Sequence, residues 1–214
     1  MTNKQFLSRV LKPIIFILML LPLFWLAWNW QLFLNGLPNV LTANPIEYTN
    51  RYLGGWALKY ILLTLIISPL ADISGWRKPI LFRRMIGLFA FTFSIFHLSS
   101  YIALDHYFNW MEIGEDIVKR NFITIGMLSI VCLLPLALTS TNKMIKRLGS
   151  KNWKKLHSLI YPVSILTVLH FTMMRKGDQL EPKIYWTVLA LLLGYRIYKY
   201  FRYIRKRPNP KIRP

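Results

Sequence analysis

The chain has one cysteine in 214 residues, and only eight carboxylate side chains against 28 lysines and arginines. A lone thiol, Cys132, excludes an internal disulfide, a four-thiolate zinc site and a Cys-x-x-Cys-His attachment for covalent heme. There is no glycine-rich dinucleotide fingerprint and no Walker-type phosphate loop. No polar stretch is long enough for a separate nucleotide-binding domain, and no internal repeat or linker is visible. The expectation is one membrane domain over residues 1–207 with a short cytoplasmic tail over residues 208–214. The first apolar run is too long for a signal peptide, and no small-residue cleavage site follows it.

What is present is apolar residues in long runs. They make up 54% of the chain, and a bilayer-crossing helix needs about 20 mostly apolar residues. Six runs qualify: Pro13–Trp30, Tyr52–Ala71, Met85–Leu104, Phe122–Leu138, His157–Met174 and Ile184–Phe201. The second is the weakest, because Gly54, Gly55 and Lys59 stand near its start. The connection from Gln31 to Arg51 carries Pro38, Asn44 and Pro45 and reads as irregular.

A net charge of +20 would point to nucleic acid in a soluble protein. Here the charges follow the loops. With a cytoplasmic N-terminus, one side receives three basic residues from the N-terminal arm, four from the second loop, six from the fourth and eight from Arg196 onward. That side holds 21 of the 28 basic residues, and the other holds every acid except Asp72. This is the positive-inside asymmetry. The fold class is therefore an all-α six-transmembrane-helix bundle with both termini cytoplasmic. The basic faces are topology signals and membrane lipid contacts, and no nucleic acid partner is expected.

Three histidines lie inside apolar runs: His97 in the third, His157 and His170 in the fifth. An ionisable side chain in a span is costly and marks function. With no carboxylate beside them, three imidazoles suggest metal ligation, and two helices that share one iron between imidazoles are how a membrane protein holds a b-type heme. Spans three and five run in the same direction, so His97 and His170 lie at similar depth near the outer end and can face each other. His157 is 13 residues before His170, about 20 Å along a helix and about 220° around it. That suits two stacked hemes only if Pro162 bends the helix. The positions that would oppose His157 are Arg83 and Arg84. Arginine cannot ligate iron but can pair with heme propionates. One heme b is expected on the outer side; a second, inner one would need another ligand or a shared histidine. His106, in an outer loop, reads as surface. The outer aromatics, among them Trp25, Trp28, Tyr52, Trp56 and Trp110, read as an interfacial belt. Lys59 could bind a propionate or a quinone oxygen, or simply snorkel to the interface. Glu112, Glu115 and Asp116 form an acidic cluster that could steer a partner.

The segments RRMIGLFAFTFSIFHLSSY (Arg83–Tyr101) and LTSTNKMIKRLGSKNWKKLHSLIYPVSILTVLHF (Leu138–Phe171) resemble the MsrQ (YedZ) family, as do the early LPLFWLAW and the ISPLA that ends span two. The family belongs to a wider ferric-reductase-like transmembrane group. The resemblance covers nearly the whole chain. It implies a heme-binding subunit in the bacterial inner membrane, with the family's three histidines falling on His97, His157 and His170; His106 matches none. It implies electrons from quinol, or from a cytoplasmic flavin reductase. They would pass to a periplasmic molybdopterin subunit that reduces methionine sulfoxide and so repairs oxidised proteins. FMN is also associated with the family, although no motif for it is visible. The chain would then be an electron-transfer subunit rather than a catalytic one. The competing readings are a self-contained ferric or other heme reductase, which would need a fused flavin domain, and a histidine proton-relay carrier, which would need acids inside the spans. A plain membrane anchor would leave the histidines unexplained.

Overall fold

A computed structural model describes residues 7–175, 177 and 180–205. The expected tail over 208–214 lies outside them. Every regular element among the described residues is helical. A π-turn at Leu7–Leu11 leads into α1, Lys12–Leu34. Helix α2 runs over Pro45–Ser74, α3 over Arg83–Ser100, the short α4 over Trp110–Lys119 and α5 over Asn121–Leu138. Then follow α6, Asn142–His157, α7, Ile160–Met174, and α8, Leu180–Arg205.

Among the described residues five stretches are long and apolar enough to cross a membrane: Arg9–Leu34, Pro45–Ser74, Lys78–Asp105, Asn121–Leu138 and Asn142–Met174. They contain the first five expected runs. The sixth run forms the centre of α8, where Arg196, Lys199 and four tyrosines between Tyr185 and Tyr200 dilute its apolar character. The connection before α2 is irregular only over residues 35–44, because α1 continues to Leu34 and α2 starts at Pro45. Asn44 caps α2 by accepting from the Glu47 amide at 3.1 Å, which satisfies one orphan donor of the first turn. At the other end Gly75 closes α2 with φ +69°, the left-handed geometry that glycine takes at little cost.

Helix α3 packs most closely on α2, and α7 on α5; α3 and α5 join the two pairs. Phe93 and Ile61 are wholly buried at the first interface, Leu58 and Leu65 in a second cluster with Val168 of α7 and Leu189 of α8, and Val163 and Ser164 on α7. Helix α1 lies on the outside of the bundle. The hydroxyls of Tyr52 and Tyr60 donate to the Pro22 and Met19 carbonyls at 3.1 and 2.8 Å and so tie α1 to α2. Proline inside a spanning helix is tolerated where neighbours satisfy the loosened backbone.

One expectation about the fifth run needs correcting. Pro162 does not bend a continuous helix between His157 and His170. Helix α6 ends at His157, a turn occupies Ser158 and Leu159, and Pro162 sits in the first turn of α7, where proline needs no helical donor. The two histidines therefore stand on separate helices.

Candidate functional site

His97 on α3 and His170 on α7 face each other across the bundle with ring centroids 6.2 Å apart and planes inclined by 69°. Each ring is fixed from behind by the neighbouring helix. His97 Nδ1 lies 2.9 Å from the Asn50 carbonyl of α2. His170 Nδ1 lies 2.7 Å from the Phe122 carbonyl of α5. A carbonyl oxygen only accepts, so both Nδ1 atoms carry hydrogen. In the neutral ring this leaves the Nε2 lone pair free, the tautomer a metal-binding imidazole uses. Ser100 strengthens the His97 end: Asn50 Nδ2 donates to its hydroxyl at 3.2 Å, and that hydroxyl donates to the His97 carbonyl at 2.8 Å.

Both rings reach a helix backbone because a glycine gives way. A Cβ on Gly54 would lie 3.1 Å from the His97 ring, and one on Gly126 would lie 2.9 Å from the His170 ring. The arrangement repeats. Asn50 precedes Gly54 by four residues, as Phe122 precedes Gly126, so each imidazole lies across one helical turn with the carbonyl at one end and the bare Cα at the other. In the sequence Gly54 reads only as a weakness of the second span. The signal that would have exposed the site is this glycine in the first turns of two apolar runs.

The pair lines a cavity of about 250 Å³. Its walls include Leu58, Leu98, Ile130 and Leu133, and Arg51, Arg120 and Arg175 stand at its edge. The geometry fits a metal between the rings: two metal–nitrogen bonds of about 2 Å, with about 1 Å more on each side from Nε2 to ring centre, span roughly 6 Å. Among the described residues no group of three or more His, Cys, Asp or Glu side chains converges as a metal site. Two facing imidazoles in an apolar cavity are residues that would hold an iron whose other ligands the bound group itself brings.

His157 lies at the opposite, basic end. There it lines a larger cavity, about 560 Å³, with Arg83, Arg84, Lys154 and Arg196. This joins His157 to the two arginines expected near it, but its nitrogen pattern differs from that of the pair. The Thr139 hydroxyl donates to the Pro135 carbonyl at 2.6 Å and so accepts from His157 Nε2 at 3.0 Å. Trp153 stacks on the His157 ring at 3.9 Å and donates Nε1–H to the Thr139 carbonyl at 3.0 Å. Arg83 donates to Ser68 at 2.9 Å and Arg84 to Asn142 at 2.6 Å.

His106 is not the surface residue expected. It is 8% exposed, packed edge-on to Tyr101 at 4.5 Å, between Glu112 at 3.6 Å and Asp116 at 3.4 Å. The acidic cluster is likewise largely engaged. Asp116 is buried beside Arg120 at 3.1 Å and accepts from the Tyr101 hydroxyl at 3.2 Å, while Glu115 pairs with Lys119 at 2.6 Å.

Residues 53–168 match a family model described as ferric reductase like transmembrane component. The chain is also similar to curated proteins named protein-methionine-sulfoxide reductase heme-binding subunit MsrQ. The relative from Rhodospirillum rubrum is 45% identical over 190 residues, 89% of this chain and 88% of its own length. The one from Herminiimonas arsenicoxydans is 43% identical, over 88% and 85%. A third, from Xanthomonas euvesicatoria, is 42% identical, over 88% and 86%. No solved structure matches the chain.

Proposed function

The chain belongs to the ferric-reductase-like transmembrane family and, within it, to the MsrQ group, and on that premise we propose that it is a heme b electron-transfer subunit of a methionine sulfoxide reductase system. In this reading it sits in the bacterial inner membrane as a single six-span domain, with α8 as the sixth span. Both termini and the basic end are cytoplasmic, and the His97–His170 end is periplasmic. Electrons come from quinol, or from a cytoplasmic flavin reductase. They go to a periplasmic molybdopterin subunit that repairs oxidised methionine. The observation that carries the reading is the facing pair His97 and His170, each with Nδ1 committed to a carbonyl and Nε2 without a partner among the described residues.

Bound heme supplies a one-electron iron couple. The chain's own residues set its position. The Asn50 and Phe122 carbonyls hold the two imidazoles in one tautomer and orientation and increase the basicity of Nε2. Gly54 and Gly126 allow the rings to lie against the helices. Arg51, Arg120 and Arg175 are the cations at the cavity edge that suit carboxylates, since a guanidinium fork matches them. A second heme in the cavity at the basic end would need another ligand besides His157, or a shared histidine. His157 would be one ligand once Nε2 leaves Thr139, with Arg83 and Arg84 toward its propionates. Nothing in the residue pattern marks an FMN site.

The test is a pyridine hemochrome assay with reduced-minus-oxidised spectra on the purified protein. The expected result is a low-spin b-type spectrum that His97→Ala and His170→Ala each abolish at the periplasmic site, with His157→Ala lowering the heme-to-protein ratio only. A wild-type protein that takes up no heme when heme is supplied overturns the reading.

A further inference from the structure

A second cavity, about 380 Å³, runs beside the iron cavity between α2 and the neighbouring ends of α7 and α8. Arg51, Gly55, Phe171 and Arg175 line both. One wall is an aromatic ladder on a single face of α2. Tyr48 and Tyr52 stack with centroids 6.0 Å apart, and Tyr52 meets Trp56 at 6.3 Å. The other wall is Phe171 and Tyr185, edge to face at 5.1 Å. At the mouth stand two ion pairs, Arg51 with Glu47 and Arg175 with Glu181, both at 2.6 Å.

At the inner end is Lys59, the midpoint of the 30-residue spanning helix α2. Its ammonium lies over the Trp56 ring, 4.7 Å from the centroid, and no carboxylate is paired with it among the described residues. A lysine in the first half of an apolar run, exposed to the slot and without an anionic partner among the described residues, is a candidate ligand contact. A permanent anion in the slot would bring its own desolvation cost. A neutral ring that bears oxygen acceptors fits better. It fills the space between flat aromatic walls, and it can enter from lipid.

We propose that the slot between Tyr48, Tyr52 and Trp56 on one side and Phe171 and Tyr185 on the other binds the ring of a lipid-soluble quinol, with Lys59 donating to a ring oxygen. The inference rests on the reading that His97 and His170 hold a heme, because the shared wall places the bound ring next to that site. Oxidation of the quinol to the quinone releases two electrons and two protons. Heme held by His97 and His170 would accept the electrons one at a time, and the protons leave at the mouth, where Glu47 and Glu181 stand.

The experiment is calorimetric titration of the full-length, heme-containing protein in detergent with decylubiquinone, together with its heme spectrum. Wild type binds. Lys59→Met weakens binding by roughly 10-fold or more, the loss expected of a hydrogen bond from a charged donor, and Lys59→Arg retains most of it. Trp56→Leu weakens binding as well, and the heme spectrum is unchanged in all three. Equal binding by wild type and Lys59→Met, or no binding by wild type, overturns the proposal and leaves the heme reading intact. Loss of heme in Lys59→Met also overturns it, since the lysine is then a heme anchor. A wild type that binds quinone but no heme refutes the heme reading alone.

Discussion

Gly126 stands so close to His170 that a methyl group on it would lie 2.9 Å from the imidazole, nearer than side-chain carbons approach a ring. The ring cannot retreat freely, because its Nδ1 is held at 2.7 Å by the Phe122 carbonyl one helical turn away.

Gly126→Ala therefore pushes the His170 ring toward His97 or breaks its carbonyl bond. Overpacking of this kind costs about 1–3 kcal/mol. Heme content falls well below wild type, and any residual heme shows an altered low-spin spectrum. Gly54→Ala, with its contact at 3.1 Å, has the same effect to a smaller degree. Wild-type heme content and spectrum in Gly126→Ala would show that the glycine seat does not position the ligand.

Thr139→Val removes the partner of His157 Nε2 while keeping the side-chain volume. If His157 ligates a second heme, that nitrogen is now available, and the heme-to-protein ratio under limiting heme rises. The loss of one partly buried hydrogen bond costs about 1 kcal/mol in thermal stability. An unchanged ratio, with the Trp153–His157 stack preserved, argues that His157 is structural.

In the acidic cluster, stability and charge separate. Asp116 is buried and serves Tyr101, Arg120 and His106 together. Asp116→Asn lowers the unfolding temperature by the equivalent of about 1–3 kcal/mol. Glu115→Gln, exposed and paired only with Lys119 at i,i+4, changes stability by less than about 0.5 kcal/mol. Because these acids already have cationic neighbours, the salt dependence of partner reduction is nearly the same in Glu115→Gln as in wild type. A steep change would restore the cluster as a steering surface.

Sidedness is open to direct labelling in a Cys132→Ser background. A thiol at Glu115, on α4 beside the His97–His170 end, reacts with a membrane-impermeant maleimide in spheroplasts. A thiol at Ser150, in the basic α6, reacts only after lysis. The reverse pattern would invert the topology.

The outline of this molecule is readable in its sequence because lipid imposes a simple rule, that apolar runs of sufficient length become helices. That His97 and His170 lie at similar depth and can face each other follows from span parity; that they do face depends on the packing of their helices. What stayed hidden depends on contacts between helices. Gly54 in an apolar run reads as a flaw until His97 is seen resting on it. Pro162 reads as a kink because nothing local signals that the chain turns at Ser158 and Leu159 just before it. His106 reads as loop surface because the carboxylates that close over its ring come from α4, and no local pattern shows that this helix folds back on the preceding loop. The Thr139–His157 bond spans 18 residues and two helices, and no local pattern encodes it.

The two imidazoles belong to different helix pairs, α2 with α3 and α5 with α7, that touch each other far less than their members do. A ligand held between His97 and His170 would act as a rivet through two separately built halves. Its uptake then becomes part of assembly rather than a decoration of the finished fold.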